Sequence, residues 1–340
     1  MFGFDIGTGN LVIAREIDNK ISVNSFRNMY YKFSENEITE KELETANINY
    51  ITFNRDGEKS IILIGEDAFR LSAAFGKSVS RPMKNGLINS GDIDSIDIMT
   101  LIIKKMIELD DVQDEDKKCS FSVPDFKTKE SLKYHEKVVQ NIFKKLGYKA
   151  YPVNEAMCVI YSEAAAYNFS GIGISFGAGL TNIAYSYKSI PAIQFAIDIG
   201  GDWIDTYTAK SVNKLETRIT KVKETSLDLN EFPVSGKADE KRIKESLILH
   251  YEELIRRVLD EFMKEFNLRS ENIEIDENVP IILSGGTSMV KGFVDKFKEI
   301  FYESYEKKFP FTVSEIKHAS EPLYAVVLGA LIHCKNIEDE

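Results

Sequence analysis

Three cysteines in 340 residues, Cys119, Cys158 and Cys334, are too scattered and odd in number for a disulfide framework or a cysteine metal site. They read as small buried side chains in a reducing compartment. Histidine is nearly as sparse. His135, His250, His318 and His333 are dispersed, and no two have the spacing that sets paired ligands on one helix face. Positive charge is in deficit: 43 Lys and Arg face 54 Asp and Glu, a net charge of −11. Proteins that grip a nucleic-acid backbone carry a basic patch, so no direct nucleic-acid partner is expected. No basic stretch and apolar core precede Asp5, and no run of about 18 apolar residues occurs. Neither a secretory signal nor a membrane span is expected, and the chain reads as cytoplasmic, with association at a membrane surface left open.

What is present is glycine placed at strand ends. A chain of 340 residues is long for one core, and two domains of ordinary size are expected. Near its middle stands Ile174-Ser175-Phe176-Gly177-Ala178-Gly179-Leu180-Thr181-Asn182, which runs into the alternating stretch Ile183-Ala184-Tyr185-Ser186-Tyr187. Strand, Gly-x-Gly turn and second strand bring bare backbone N–H groups to a tight bend. Alone it could be a plain β-hairpin. The chain opens, however, with the same device: Phe4-Asp5-Ile6-Gly7-Thr8-Gly9-Asn10-Leu11-Val12. Two copies about half a chain apart suggest an internal duplication.

The remaining pattern is that of an α/β protein. Residues 21–26 extend the opening into a meander. Residues 34–47 are polar and acidic, a loop or short helix. Strands at 48–53 and 61–64 and a helix at 66–75 make a small mixed insert, about 31–79. Gly76-Lys77-Ser78 resembles part of a P-loop, but the required earlier glycine is replaced by Leu71. A helix over 95–109, a strand over 119–124, a helix over 129–146 ended by Gly147, a strand over 150–153 and a helix over 156–167 then alternate as in a helix-covered sheet. After the central hairpin come a strand at 193–199 and a helix at 203–212. Residues 213–240 are polar. The longest periodic helix covers 241–266. A buried strand at 279–283, a helix at 290–301, a strand at 311–313 and a small-residue helix over 321–333 close the chain.

Four glycine turns therefore end strands: Gly7/Gly9, Gly177/Gly179, Gly200/Gly201 and Gly285/Gly286. The last two lead into predicted helices, whose N-termini favour anions. Ligands of open α/β sheets sit at the carboxyl ends of strands. The set points to a polyphosphate, with Thr8, Asn10, Thr181 and Asn182 able to add side-chain hydrogen bonds. Asp5, beside the first turn, could hold a hydrated Mg²⁺, which takes only one or two carboxylates. Glu155 reads equally as a residue orienting an attacking water or as a helix-start acid favoured by the dipole.

On these segments the chain resembles the actin and heat-shock-chaperone ATPase superfamily. Residues 4–14 resemble its first phosphate loop and residues 174–182 the second. Ser284-Gly285-Gly286-Thr287-Ser288 resembles the adenosine motif, Glu155-Ala156 the first connecting motif and residues 325–331 the second. The chain is most similar to prokaryotic actins of the MreB type. Arg81-Pro82-Met83-Lys84-Asn85-Gly86-Leu87-Ile88, Ser122-Val123-Pro124 and Gly200-Gly201-Asp202-Trp203-Ile204-Asp205 carry that likeness, and Lys223-Glu224 stands where actins have a Lys-Glu pair beside the nucleoside.

The resemblance implies a duplicated actin-like ATPase fold around a nucleotide cleft. The first domain would cover 1–150 with its small subdomain at about 31–79, and a C-terminal helix at about 325–340 would return to it. The second would cover 151–324 with its small subdomain at about 204–279. ATP and Mg²⁺ are implied as cofactors. The implied binding residues are Asp5, Gly7, Thr8, Gly9, Asn10, Gly177, Ala178, Gly179, Leu180, Thr181, Gly200, Gly201, Lys223, Glu224, Gly285, Gly286 and Thr287, with Asp5 also at the metal. Glu155 and Ser175 stand at the catalytic positions. The family's second loop begins with Asp where this chain has Ser175, and an acidic position of actin's loop is Ala178. Serine bonds a water but supplies no charge, so nucleotide binding with slow hydrolysis is implied. Head-to-tail filaments of a cytoskeletal protein are the expected function. A non-polymerising nucleotide-dependent adaptor for division or pilus assembly, and a small-molecule kinase of the same superfamily, are the alternatives. The expected partner is the chain itself, with a membrane or adaptor protein left open.

Overall fold

The computed structural model describes residues 1–33, 38–55, 57–74, 78–108, 117–125, 129–231, 237–269 and 278–337. The first half runs β1 (Phe2–Ile6), β2 (Asn10–Ile17), β3 (Lys20–Arg27), β4 (Tyr30–Lys32), α1 (Glu40–Thr45), β5 (Tyr50–Arg55), β6 (Glu58–Ile64) and α2 (Gly65–Ala74). It continues with β7 (Met83–Lys84), β8 (Leu87–Ile88), α3 (Ser95–Glu108), β9 (Lys118–Val123), α4 (Lys129–Lys145) and β10 (Lys149–Asn154). The second half runs α5 (Glu155–Glu163), β11 (Gly171–Phe176), β12 (Thr181–Tyr187), β13 (Ile190–Ile197), α6 (Gly201–Val212), α7 (Glu216–Thr225) and α8 (Ala238–Arg269). Then come β14 (Val279–Ser284), α9 (Phe293–Ser304), β15 (Val313–His318) and α10 (Ala325–Asn336). The rejected Gly76-Lys77 segment lies outside the described residues.

Two five-stranded sheets carry the described chain, in the orders β3-β2-β1-β9-β10 and β13-β12-β11-β14-β15. Each is an antiparallel three-stranded meander followed by two strands parallel to its first. The duplication suggested by the two glycine turns therefore extends to the whole topology of each sheet. Strands β4, β6 and β5 form a separate three-stranded sheet. The first sheet packs on Phe2, Phe4, Phe121 and Phe143, and the second on Phe176, Phe262, Phe293 and Phe297. Fully burying one such ring contributes roughly 1.5–3 kcal/mol.

Helices α5 and α10 lie against each other between the two sheets. α5 packs on β11 and β12, and α10 on β1 and β9. Small residues stand where the backbones approach closely, Ala156 and Cys158 on α5 and Ala325, Gly329 and Ala330 on α10. A Cβ on Gly329 would stand 1.9 Å from the Cys158 carbonyl oxygen, and one on Gly3 would stand 2.4 Å from the Leu331 nitrogen. A helix buried on several sides is apolar all round, and α10 reads AVVLGALIHC before its polar end. The three cysteines are free and buried. Among the described residues no helix is long and apolar enough to cross a membrane.

Four expected elements differ. The polar stretch after residue 213 contains helix α7, whose inner face buries only Ile219 and Lys223. The last strand is β15 rather than 311–313; it is a sheet edge on which only Ile316 is buried. Gly286 opens a short 3₁₀ turn, Gly286–Met289, before α9 rather than entering an α-helix directly. The closing helix begins at Ala325, four residues later than its sequence pattern suggested.

Candidate nucleotide cleft

The two duplicated turns face each other tip to tip. In the first, the Gly7 N–H donates to the Asn10 carbonyl at 3.0 Å; in the second, Gly177 donates to Leu180 at 2.9 Å. Glycine is required there by space: a Cβ on Gly7 would stand 2.5 Å from the Asn10 oxygen, and one on Gly179 would stand 2.7 Å from both the Thr8 hydroxyl and the Gly86 nitrogen. Asn28, fully buried, braces the first turn through its side-chain amide to the Gly7 carbonyl at 2.8 Å. Thr8 is held by the Gly86 N–H, which donates to its hydroxyl at 2.8 Å.

Between the turns opens a cavity of about 880 Å³. Every residue anticipated for binding or catalysis lines it except Thr181 and Gly200. Those two lie beneath the second turn. The Thr181 hydroxyl donates to the Ile199 carbonyl at 2.8 Å, and a Cβ on Gly200 would meet the Gly177 oxygen at 2.5 Å. The start of α6 also differs from expectation. Its Gly201 and Asp202 N–H groups donate to the Gly177 and Ala178 carbonyls, at 3.0 and 2.9 Å. These helix-start groups hold the second turn instead of standing free for an anion. Thr287 adds a third clamp, donating to the Gly177 carbonyl at 2.8 Å.

At the cavity floor stand two carboxyl groups. Asp5 accepts from the Ser122 hydroxyl at 2.7 Å, and that hydroxyl accepts from the Ile6 N–H at 2.9 Å. Glu155 begins α5 behind the cap Asn154, whose side chain accepts from Met157 at 3.0 Å. Its carboxyl accepts from the Ser175 hydroxyl at 2.7 Å. Burial pushes Asp5 above the usual carboxylate range, against the Ser122 bond. Burial, and then the Asp5 charge, pushes Glu155 higher still, against bonds from Ser175 and Asn182. Two buried acids that repel each other fit a cation placed between them and a polyanion. Glu155 is a helix-start acid whose carboxyl group also forms part of the cavity wall.

Another wall of the cavity is built on a buried ion pair. Lys223 of α7 reaches Asp205 of α6 at 2.8 Å and the Gly201 carbonyl at 3.2 Å. Thr220 donates to the same Asp205 oxygen at 2.7 Å. Asp205 is nonetheless pushed up, because burial outweighs the lysine. Glu224, beside Lys223, accepts from Arg27 of the first half at 3.0 Å. A second pair crosses at the same rim: Arg81 donates to Asp202 at 2.6 Å. Asn28, Ser122, Asp205, Arg27 and Arg81 had no site role assigned from the sequence, although Arg81, Ser122 and Asp205 stand in segments that carry the family likeness. Each acts on a residue 18 or more positions away, so no local spacing announces it.

Twin meander sheets, apposed glycine turns and a crossed helix pair define an actin-like fold. The fold is similar to that of a MamK double helical filament, with TM-score 0.70 at 14% identity over 99% of both chains. It is also similar to MreB5 of Spiroplasma citri bound to AMPPNP, with TM-score 0.66 at 15% identity over 98% of this chain and 95% of that one. The ethanolamine utilization protein EutJ from Carboxydothermus hydrogenoformans has TM-score 0.55 at 17% identity, over 97% and 88% of the two chains. These likenesses are of fold. Residues 1–334 match the Volactin family, and the chain belongs to it. No curated protein matches the sequence.

Proposed function

We propose that this Volactin-family chain binds ATP with Mg²⁺ in the cleft and assembles head-to-tail into filaments as a prokaryotic cytoskeletal protein. The observation that carries the reading is the apposition of two glycine turns over a shared floor holding Asp5 and Glu155. Bare turns suit a polyphosphate, and Asp5, steadied by Ser122, suits a cation that keeps most of its waters. The nucleoside would lie toward Lys223, Glu224 and Gly286. Magnesium would neutralise phosphate charge and orient the tail; Glu155 would take a hydrogen bond from a water. The division into domains of 1–150 and 151–324, with a helix returning to the first, agrees with this use. α10 packs on the first sheet and crosses α5 at the foot of the cleft.

Filament formation is supported by the likeness to a subunit solved as a filament. Head-to-tail contacts between identical subunits propagate into an open filament when their rotation does not close a ring. Sedimentation and negative-stain microscopy with ATP and Mg²⁺ test it. Nucleotide-dependent polymer is the expected outcome. Tight ATP binding by a chain that stays monomeric would replace it with the non-polymerising adaptor, the reading that Ser175 favours by bringing no carboxylate to the second turn.

A further inference from the structure

Ser288 and His318 form a hydrogen-bonded pair behind the cavity wall, and neither of them lines the cavity. Strands β14 and β15 run parallel, in a register that sets Leu283 beside His318 at their carboxyl ends. The chain leaves β14 through Gly285 and the 3₁₀ turn Gly286–Met289, and Gly285, Gly286, Thr287 and Met289 line the cavity. Two successive glycines give such a turn little stiffness of its own. Bonds from outside must therefore hold it. On the cavity side Thr287 reaches the Gly177 carbonyl, and at the head of the turn the Gly285 N–H donates to the Pro322 carbonyl at 2.8 Å. On the far side stands Ser288, which is buried.

The Ser288 hydroxyl lies 2.7 Å from the Gly285 carbonyl oxygen and 2.9 Å from the His318 Nε2. A carbonyl oxygen can only accept, so the hydroxyl proton belongs on the Gly285 side. Nε2 must then carry the ring proton and donate it to Ser288. Burial pushes His318 below its ordinary value, against the charge of Glu163, so the ring is neutral at pH 7 and its single N–H is committed to this bond. The backbone around it is fixed on both sides by the end of α5. Lys317 donates to the Glu163 carbonyl at 3.3 Å, and the Ser320 N–H to the Glu163 carboxylate at 3.1 Å. We propose that His318 is a positioning residue for the nucleoside, acting through the Ser288 hydroxyl on the glycine turn against which the nucleoside would rest. This role rests on the nucleotide reading of the cleft. His318 touches no ligand; it holds the wall that does. A leucine at 318 would leave the Ser288 oxygen without its donor and the turn free to shift, while the two apposed phosphate turns stay as they are.

The test is calorimetric titration of ATP and of tripolyphosphate, each with Mg²⁺, into the unaltered protein and its variants. One hydrogen bond of this kind shifts an equilibrium by about three- to tenfold. His318→Leu and Ser288→Ala should each weaken ATP by about that factor, and the two together should cost no more than the larger single loss. His318→Gln, whose amide can place an N–H near the same point, should restore most of the affinity. Tripolyphosphate should bind every variant as it binds the unaltered protein. If His318→Leu does not fold, Ser288→Ala, which removes a single oxygen, carries the same comparison. A second readout needs no ligand: nitrogen-15 NMR of the His318 ring, assigned by its loss in His318→Gln, should show the neutral tautomer with the proton on Nε2. A proton on Nδ1 overturns the bond to Ser288. Unchanged ATP affinity in His318→Leu and Ser288→Ala, strictly additive losses, or equal losses for ATP and tripolyphosphate overturn the positioning role. Absence of ATP binding by the unaltered protein is a different failure, which overturns the nucleotide reading and this role with it.

Discussion

Breaking the two ion pairs across the cleft rim should speed nucleotide exchange. Arg27 is anchored on its own side of the cleft. It donates to Glu66 at 3.0 Å and lies 4.2 Å over the Phe69 ring, so it reaches Glu224 from a fixed position. The side chains are 17% and 46% exposed in this pair, and 27% and 38% exposed in Arg81–Asp202. Pairs of that exposure are worth about 0.5–1 kcal/mol each, so two together bias the closed cleft by about 1–2 kcal/mol. That corresponds to a factor of roughly 5–30 between open and closed forms. Release of a fluorescent ATP analogue, chased by excess ATP in a stopped-flow instrument, measures it. Asp202→Asn with Glu224→Gln should accelerate release by about that factor, and raising salt should accelerate the unaltered protein part of the way. All four groups also line the cavity, so direct loss of a ligand contact must be separated from loss of the clasp. Exchanging the charges, with Arg81→Asp and Asp202→Arg together, restores slow release only if the pair itself matters. Release unchanged by the double substitution and indifferent to salt would refute the clasp.

Gly329→Val should force α5 and α10 apart, because every near atom is Cys158 backbone and cannot rotate away. A loss of about 1–3 kcal/mol in urea unfolding is expected, with weakened ATP binding, and native stability would contradict it. Lys223→Met should strand Asp205, which already has one unpaired oxygen. About 3–5 kcal/mol should be lost at pH 7, with partial recovery in Lys223→Met/Asp205→Asn. The pH dependence of stability should show His135. It is fully buried, accepts from the Ile88 N–H at 3.3 Å, and is pushed by burial from 6.5 down to about 4. Its folded value is depressed, so the folded state resists the proton that the unfolded chain takes up. Its contribution is therefore lost as pH falls from 6.5 toward 4, by about 3 kcal/mol in all. His135→Gln should flatten that slope in denaturant midpoints measured from pH 7 to 4.5.

The glycine turns were legible because close approach leaves a residue type behind: no other side chain fits at Gly7 or Gly179, so the sequence prints the geometry. The buried strands were legible for the same kind of reason, since β11 and β14 are buried along their whole length. Helix α7 was not. It buries only one apolar residue, Ile219, and one charged residue, Lys223, and its amphipathic signal is correspondingly faint. β15 stayed hidden because an edge strand needs few apolar positions. Among site residues, Asp5 and Glu155 could be placed by their neighbours in sequence. Ser122 and Arg27 could not, because their partners are 117 and 197 positions away. Gly201 shows the opposite error. A glycine before a helix suggested free N–H groups for phosphate, but the fold uses them to brace the second turn.

The most direct test of the central claim is calorimetric titration of ATP with Mg²⁺ into the unaltered protein and into Gly179→Leu. One site per chain, dependent on Mg²⁺, is the expected result. A leucine at 179 would push into Thr8 and Gly86 and so close the space between the turns, abolishing that site. Absence of binding in the unaltered protein, or equal binding by Gly179→Leu, would contradict a nucleotide cleft formed by the two turns.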